Sequence, residues 1–80
     1  MEDEIINSLT NYIAVEIIKQ PRRIIAPDEP IITSGLVDSF SLIDLALYIE
    51  KTFGVHIDDT ELNADTFDTI SQLAQLIIDR

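Results

Sequence analysis

The pair Asp38-Ser39 is the first feature of this sequence that could take part in covalent chemistry. A serine hydroxyl is a weak nucleophile until a neighbouring general base removes its proton. The single histidine, His56, lies far beyond Ser39 in the sequence, and the chain has no cysteine. Because no triad candidate and no glycine-rich phosphate loop accompany Ser39, we expect the chain not to be an enzyme.

An acidic segment is the other candidate site, with four carboxylates at Asp58, Asp59, Glu61 and Asp65. Carboxylate oxygens are suitable ligands for Ca²⁺. The segment lacks the alternating ligands, central glycine and closing glutamate of an EF-hand loop. We therefore interpret it as an exposed acidic turn and expect no metal site.

Composition limits the function classes further. A chain of 80 residues predicts one small domain, residues 1–80, and an apolar fraction of 46% allows a packed core. The net charge of −10 disfavours nucleic acids and anionic membranes but attracts basic protein partners. The acidic start, Met1-Glu2-Asp3-Glu4, is not that of a signal peptide, and no apolar run is long enough to span a membrane. We expect a cytoplasmic monomer with no membrane insertion.

Helical periodicity predicts an all-α fold, a small four-helix bundle with three main helices and one short helix. The main helices are predicted at 3–19, 39–53 and 66–79, and the short one within 57–63. Three prolines predict a long loop over 20–37. The residues expected to face the core of the bundle are Ile6, Leu9, Ile13 and Ile17, then Leu42, Leu45, Ala46, Ile49 and Phe53, and finally Phe67, Ile70, Leu73, Ala74 and Ile77.

The ends of the helices and the course of the loop follow from particular residue types. Asp38 or Ser39 is the expected N-cap of the second helix, and Gly54 its end. Asp65 or Thr66 is the expected N-cap of the last helix. The apolar residues expected to hold the loop against the core are Ile24, Ile25, Ile31, Ile32, Leu36 and Val37.

The second helix carries a second apolar stripe, formed by Phe40, Ile43 and Leu47. Glu50 lies beside this stripe, and a carboxylate is seldom buried without a partner, so the stripe should be partly exposed. It then has the composition of a docking face, although packing under the long loop is the alternative. The arc expected to face water contains Ser41, Asp44, Tyr48, Lys51 and Thr52.

The segment Gly35-Leu36-Val37-Asp38-Ser39-Phe40 resembles the attachment motif of acyl and peptidyl carrier proteins. In that motif a glycine and a leucine precede Asp-Ser-Leu, which opens the second helix. The segment 66–70, Thr-Phe-Asp-Thr-Ile, is similar to the usual start of the last helix in this family. The resemblance extends over the whole chain and implies an acyl-carrier type of bundle.

The resemblance also implies a function. A separate phosphopantetheinyl transferase would use coenzyme A and a metal ion to attach a 4′-phosphopantetheine arm to Ser39. The carrier would then hold acyl or aminoacyl groups as thioesters. It would deliver them to ligases, synthases or transferases of a fatty-acid, polyketide, peptide or other specialised pathway. Basic docking patches on these enzymes would recognise the acidic carrier, whose expected partner-binding residues are Asp38, Phe40, Ile43, Asp44, Leu47 and Glu50.

Three departures from the family pattern narrow this expectation. Phe40 replaces the usual leucine, and Ser41 and Lys51 stand where general fatty-acid carriers often have acids. A specialised carrier fits these residues better. The sequence leaves open whether the cargo is sheltered between the helices or held in water. It also leaves an alternative function, an acidic helical interaction module that binds through the stripe and has no prosthetic group.

Overall fold

A computed structural model describes residues 2–80. Helix α1, Glu2–Tyr12, continues into a π-helical turn, Ile13–Ile17, and is followed by α2, Ser39–Phe53, and α3, Ile70–Ile78. One 3₁₀ turn, Asp59–Glu61, lies between α2 and α3. Residues 2–80 contain no strand, so the predicted all-helical fold with a long loop is confirmed.

The first helix ends earlier than predicted. The Ile18 N–H donates to the Ile13 carbonyl at 2.9 Å, and the Gln20 N–H donates to the Ala14 carbonyl at 2.7 Å. Lys19 between them has a φ of 54°, in the left-handed region. The wider π-type turn and the reversal at Lys19 end the helix at Ile17, so the predicted end at residue 19 was wrong.

The last helix begins later than predicted because Thr69 is its N-cap. The Thr69 hydroxyl accepts the Gln72 N–H at 3.1 Å, and the Gln72 side chain accepts the Thr69 N–H at 3.2 Å. This reciprocal pair is a capping box. Thr66 instead donates its N–H to the Asn63 side chain at 3.1 Å, within a turn. The caps predicted at Asp65 and Thr66 were therefore wrong.

The core largely matches the predicted faces of the helices. Within residues 2–80 no polar or charged residue is buried. Ile6, Ile17 and Phe53 are half-buried residues packed against the core, and Ala46 is also half-buried. The predicted core residues that are buried are Leu9, Ile13, Leu42, Leu45, Ile49, Phe67, Ile70, Leu73, Ala74 and Ile77.

The long loop is held against the core by five of the six apolar residues predicted to do so, and two of these, Ile32 and Leu36, are half-buried. Ile25, Ile31 and Val37 are buried, as predicted. Ile24 was predicted to join them but is 90% exposed. Residues 24 and 25 lie in a stretch without helical structure. Adjacent side chains of extended backbone point to opposite sides, so Ile24 faces water when Ile25 enters the core.

Asp68 joins the end of this loop to the segment before α3. Its Oδ1 accepts the N–H groups of Ile32 and Thr33, each at 2.9 Å, and its Oδ2 accepts the Thr33 hydroxyl at 2.6 Å. Its main-chain carbonyl accepts the Ile31 N–H at 2.7 Å. The bonds from Thr33 are the main reason that the pKa of Asp68 is lowered. Asp68 thereby fixes the part of the loop that leads into α2.

We expect the Asp68→Asn variant to melt several degrees below the wild type at neutral pH, since it loses a charged acceptor of these bonds. Folding lowers the pKa of Asp68 from its ordinary value of 3.8. Its stabilisation is therefore complete above that value and is lost as the pH falls through the folded-state pKa. The difference in melting temperature, measured by circular dichroism, should narrow between pH 7 and pH 3. Asp65→Asn, at an exposed position, is the control and should show no such narrowing.

The acidic segment is organised by an ion pair. The Arg80 guanidinium donates to both carboxylate oxygens of Glu61, one of them at 2.8 Å, and the Asp58 N–H donates to the same carboxylate at 3.2 Å. The bond from Arg80 is the main reason that the pKa of Glu61 falls to about 2. The short helical turn predicted within 57–63 is confirmed as the 3₁₀ turn Asp59–Glu61. Within residues 2–80 no three acids or histidines are arranged to hold a metal ion.

Candidate functional site

Ser39 is the first residue of α2, and it is exposed. Asp38 before it is extended and is the N-cap of the helix. Its Oδ1 accepts the Ser41 N–H at 2.8 Å, and its carbonyl accepts the Leu42 N–H at 2.9 Å. Of the two caps considered from the sequence, Asp38 is the correct one. Ser39 is therefore free of the capping role, and its side chain is open to solvent.

The turn that precedes Ser39 is fixed by its own backbone. The Val37 N–H donates to the Ile31 carbonyl at 2.9 Å, and the Gly35 N–H donates to the Ile32 carbonyl at 3.1 Å. Gly35 has a φ of 83°, in the region that favours glycine. Since Val37 is only 2% exposed, the chain is anchored in the core two residues before Ser39. This anchoring places Ser39 at a defined point on the surface.

The electrostatics of the site are set by Asp38. The hydrogen bond from the Ser41 N–H is the main reason that the pKa of Asp38 is lowered, and the Ser41 side chain adds to the effect. The neighbour of Ser39 is thus a carboxylate that is ionised at neutral pH, which suits recognition by a basic partner.

Among residues 2–80 no histidine lies beside Ser39, and the adjacent Asp38 carboxylate is engaged as the N-cap of α2. The single histidine, His56, follows the far end of α2, where its Nδ1 lies 3.0 Å from Glu50 Oε1. Both side chains of this pair are largely exposed. His56 is a surface residue, and its position agrees with the expectation that it takes no part in chemistry at Ser39. The Ser39 hydroxyl is displayed, not activated, and this suits a covalent group attached by another enzyme.

The stripe predicted along α2 is exposed. Phe40 is 83% exposed, Ile43 49% and Leu47 59%, so the alternative in which the stripe packs under the loop is wrong. Asp44 and Glu50 are exposed on either side of the stripe. The structure therefore brings the predicted docking residues together on one side of α2, next to Ser39. Their role in docking stays a prediction.

Tyr48 was predicted to face water, but it is half-buried against α1. Its ring stacks on Tyr12 with the centroids 4.0 Å apart, and its hydroxyl pairs with that of Ser8. The Tyr12 hydroxyl donates to the Asp44 carbonyl at 3.4 Å. Burial, followed by the nearby Asp44 carboxylate, raises the pKa of Tyr12, so its phenol stays protonated. Sequence reasoning missed Tyr12, although its position three residues after Leu9 and just before Ile13 places it near the apolar arc of α1.

Comparison with known proteins shows the family to which this chain belongs. Residues 7–77 match the family described as "Phosphopantetheine attachment site". This chain belongs to that family. The D-alanyl carrier protein of Bacillus subtilis is 30% identical over 79 residues, which are 94% of this chain and 95% of that protein.

Two shorter matches to carriers are also informative. The D-alanyl carrier protein of Bacillus pumilus is 35% identical over 49 residues, 61% of this chain and 63% of that protein. The D-alanyl carrier protein of Bacillus velezensis is 40% identical over 43 residues, 54% of this chain and 55% of that protein. The two alignments span less than two thirds of the relatives' lengths.

Membership of the phosphopantetheine-attachment family confirms two predictions. The chain is a non-catalytic carrier, and its cofactor is a covalently attached 4′-phosphopantetheine. The exposed position of Ser39 at a fixed helix start fits such an arm. Ser39 as the attachment residue stays a prediction. In this carrier, no helix among residues 2–80 is both long enough and apolar enough to cross a membrane.

Proposed function

We propose that Ser39 bears the 4′-phosphopantetheine arm and that the thiol of the arm carries an aminoacyl group, in particular a D-alanyl group. The observation that carries the proposal is the position of Ser39, exposed as the first residue of α2 and next to an exposed apolar stripe. The names of three bacterial relatives, all D-alanyl carrier proteins, support this cargo.

The chemistry needs two external enzymes. In the first step Ser39 Oγ forms a bond to the phosphorus that bears the pantetheine of coenzyme A. Adenosine 3′,5′-bisphosphate leaves, and a base of the transferase takes the hydroxyl proton. In the second step a ligase joins the amino-acid carboxylate to the AMP part of ATP and releases pyrophosphate. The arm thiol then gives up its proton to a base of the ligase and displaces AMP to form the thioester. The carrier contributes presentation and recognition to both steps.

An aminoacyl cargo is better held in water than between the helices. Such a cargo keeps a charged ammonium group, which is costly to bury without a partner. Within residues 2–80 the core contains no buried polar or charged residue that could pair with it. This supports a carrier whose cargo stays outside the bundle. It also agrees with the departures at Ser41 and Lys51, which make α2 less acidic than in general fatty-acid carriers.

We further propose that partner enzymes bind the stripe of Phe40, Ile43 and Leu47, which we call the docking stripe. Large apolar side chains at the centre of an interface contribute most of its binding energy. Acids at its margin favour basic partners and accelerate encounter. Those acids are Asp38, Asp44 and Glu50.

We further propose that this carrier is a single-domain monomer and acts in the cytoplasm, because coenzyme A and ATP are available there.

A two-stage loading experiment tests the proposal. The protein is first incubated with coenzyme A, Mg²⁺ and a broad-specificity phosphopantetheinyl transferase, and intact mass should increase by one phosphopantetheinyl unit. The loaded form is then offered ATP and D-alanine, L-alanine or octanoate, with the ligase that charges the B. subtilis relative. We expect one alanyl unit from D-alanine, removed by neutral hydroxylamine as a thioester requires.

Two controls define the outcome. Protein without the arm should accept no amino acid, and the B. subtilis carrier should be charged in a parallel reaction. A protein that gains no mass from a competent transferase would instead be the interaction module without a prosthetic group. An arm-bearing protein that takes octanoate and refuses every amino acid would contradict the aminoacyl assignment.

A further inference from the structure

An open groove of about 320 Å³ lies where α1 meets α2. Tyr12 comes from α1, and the other lining residues come from α2. They are Asp44, Leu47, Tyr48 and Lys51, whose spacing of three, four and seven residues places them along one side of the helix. The groove therefore begins more than one helical turn beyond Ser39 and runs away from it.

The base of the groove is aromatic and fixed. The rings of Tyr12 and Tyr48 stack at an angle of 17°, and Phe53 meets Tyr48 edge-on with the centroids 6.2 Å apart. Both tyrosine rings are half-buried. The Tyr48 hydroxyl is hydrogen-bonded to the Ser8 hydroxyl, and the Tyr12 hydroxyl donates to the Asp44 carbonyl. A rigid aromatic base requires little ordering when a partner binds.

The groove is continuous with the docking stripe. Leu47 belongs to both, and it is 59% exposed. Phe40 and Ile43 extend the same apolar surface toward Ser39. A partner that binds the docking stripe therefore reaches the groove by extending its contact toward α1.

The two ends of the groove carry opposite charges. Asp44 and Lys51 are both exposed and lie two helical turns apart, about 10 Å along the axis. The ion pairs within residues 2–80 involve other side chains, namely Arg23 with Glu29, Glu50 with His56 and Glu61 with Arg80. The charges at both ends are thus available to a partner, and their order along the helix gives the groove a direction.

We propose that this groove receives one large apolar side chain of the aminoacyl-activating ligase, between a basic residue that faces Asp44 and an acidic residue that faces Lys51. This inference rests on the proposed function. A volume near 320 Å³ is at the small end of ligand pockets, which suits a single anchoring side chain. The ligase is chosen over the transferase because the transferase must act at Ser39 itself. An enzyme that acts on the thiol at the end of the long arm can bind farther along α2.

Exchanging the two charges tests the groove. The double variant Asp44→Lys/Lys51→Asp keeps the net charge and the aromatic base but reverses the direction of the groove. We expect the ligase KM for the arm-bearing carrier to rise about tenfold or more, with kcat within about twofold. Transfer of the arm to Ser39 is run to completion for every protein before charging and is verified by intact mass. Lys19→Glu, a single charge reversal at a distant exposed position, is the control and should leave charging by the ligase unchanged.

The possible results separate the two proposals. A wild-type carrier that is charged normally and a double variant with the same KM would overturn the groove while leaving the proposed function intact. If the wild type accepts no amino acid, both proposals fail. Changes in the NMR signals of Tyr12 and Tyr48 when the alanyl arm is attached, without ligase present, would show that the arm occupies the groove and would also overturn the inference. A melting curve of the double variant confirms that it is folded.

Discussion

The Ser39→Ala variant is expected to gain no mass at all when incubated with coenzyme A and a phosphopantetheinyl transferase, and consequently to accept no amino acid. The reason is chemical, because the variant lacks the oxygen that must bond to phosphorus. The effect should be complete, whereas a docking variant would only slow the reaction. Intact-mass measurement over a long incubation distinguishes these two results.

The fold should survive this substitution. Asp38, not Ser39, supplies the capping carboxylate of α2, and alanine is the most favourable residue within a helix. The circular dichroism spectrum and the melting temperature should therefore match those of the wild type. Loss of the mass increase can then be attributed to the missing hydroxyl.

Ser41→Ala is the matched control, because Ser41 is the next serine on the same helical turn. Its hydroxyl contributes to the hydrogen bonding of Asp38, so a small loss of stability is expected. It should still gain one phosphopantetheinyl unit. An arm found on the Ser39→Ala protein, with peptide mapping that places it on Ser41 or elsewhere, would show that the attachment residue has been assigned wrongly.

The parts of the fold that could be predicted from sequence are those determined by local pattern. The bounds of α2 follow from Asp38 at one end and Gly54 at the other, and both act as predicted. The core-facing residues of the predicted last helix follow from apolar spacing, and every one of them is buried. Helical periodicity and capping chemistry act within a few residues, so a single sequence is enough to reveal them.

Two of the errors involve residues that are distant in the sequence. The segment before α3, which Thr69 caps, is held by Asp68, which binds the loop at Ile32 and Thr33, more than thirty residues earlier. Tyr48 leaves the water-facing arc because Tyr12 of α1 stacks on it. Neither partner can be identified from periodicity, which describes one helix at a time.

The candidate site shows the same division. The position of Ser39 at a helix start was predicted from local pattern, and the exposure of the docking stripe was inferred from Glu50 beside it. The groove at α1 was not predicted, because it exists only when two helices meet. The resemblance to the carrier family was recognised from the extended motif around Ser39, since an Asp-Ser pair alone is common at helix starts.

Truncation of two phenylalanines distinguishes the role of a core residue from that of a residue in the docking stripe. Phe67 is 1% exposed and packs in the core just before α3, whereas Phe40 is 83% exposed on α2. Phe67→Ala should lower the free energy of unfolding by about 3–5 kcal/mol, because it removes buried apolar area and leaves a cavity. Phe40→Ala should change it by less than about 0.5 kcal/mol. Urea unfolding followed by circular dichroism measures both.

The two variants should lose function for different reasons. A small domain has a total stability on the order of 5–15 kcal/mol, so Phe67→Ala should leave a substantial unfolded fraction under mild denaturing conditions. Its loading by transferase and ligase should fall only as far as the folded fraction does.

Phe40→Ala should remain folded and yet raise the KM of these enzymes, because the docking stripe loses its most exposed aromatic ring. If Phe40→Ala instead unfolds as readily as Phe67→Ala, Phe40 belongs to the core and cannot be an exposed docking residue. If it is stable and binds partners normally, the stripe must engage them through Ile43 and Leu47 alone.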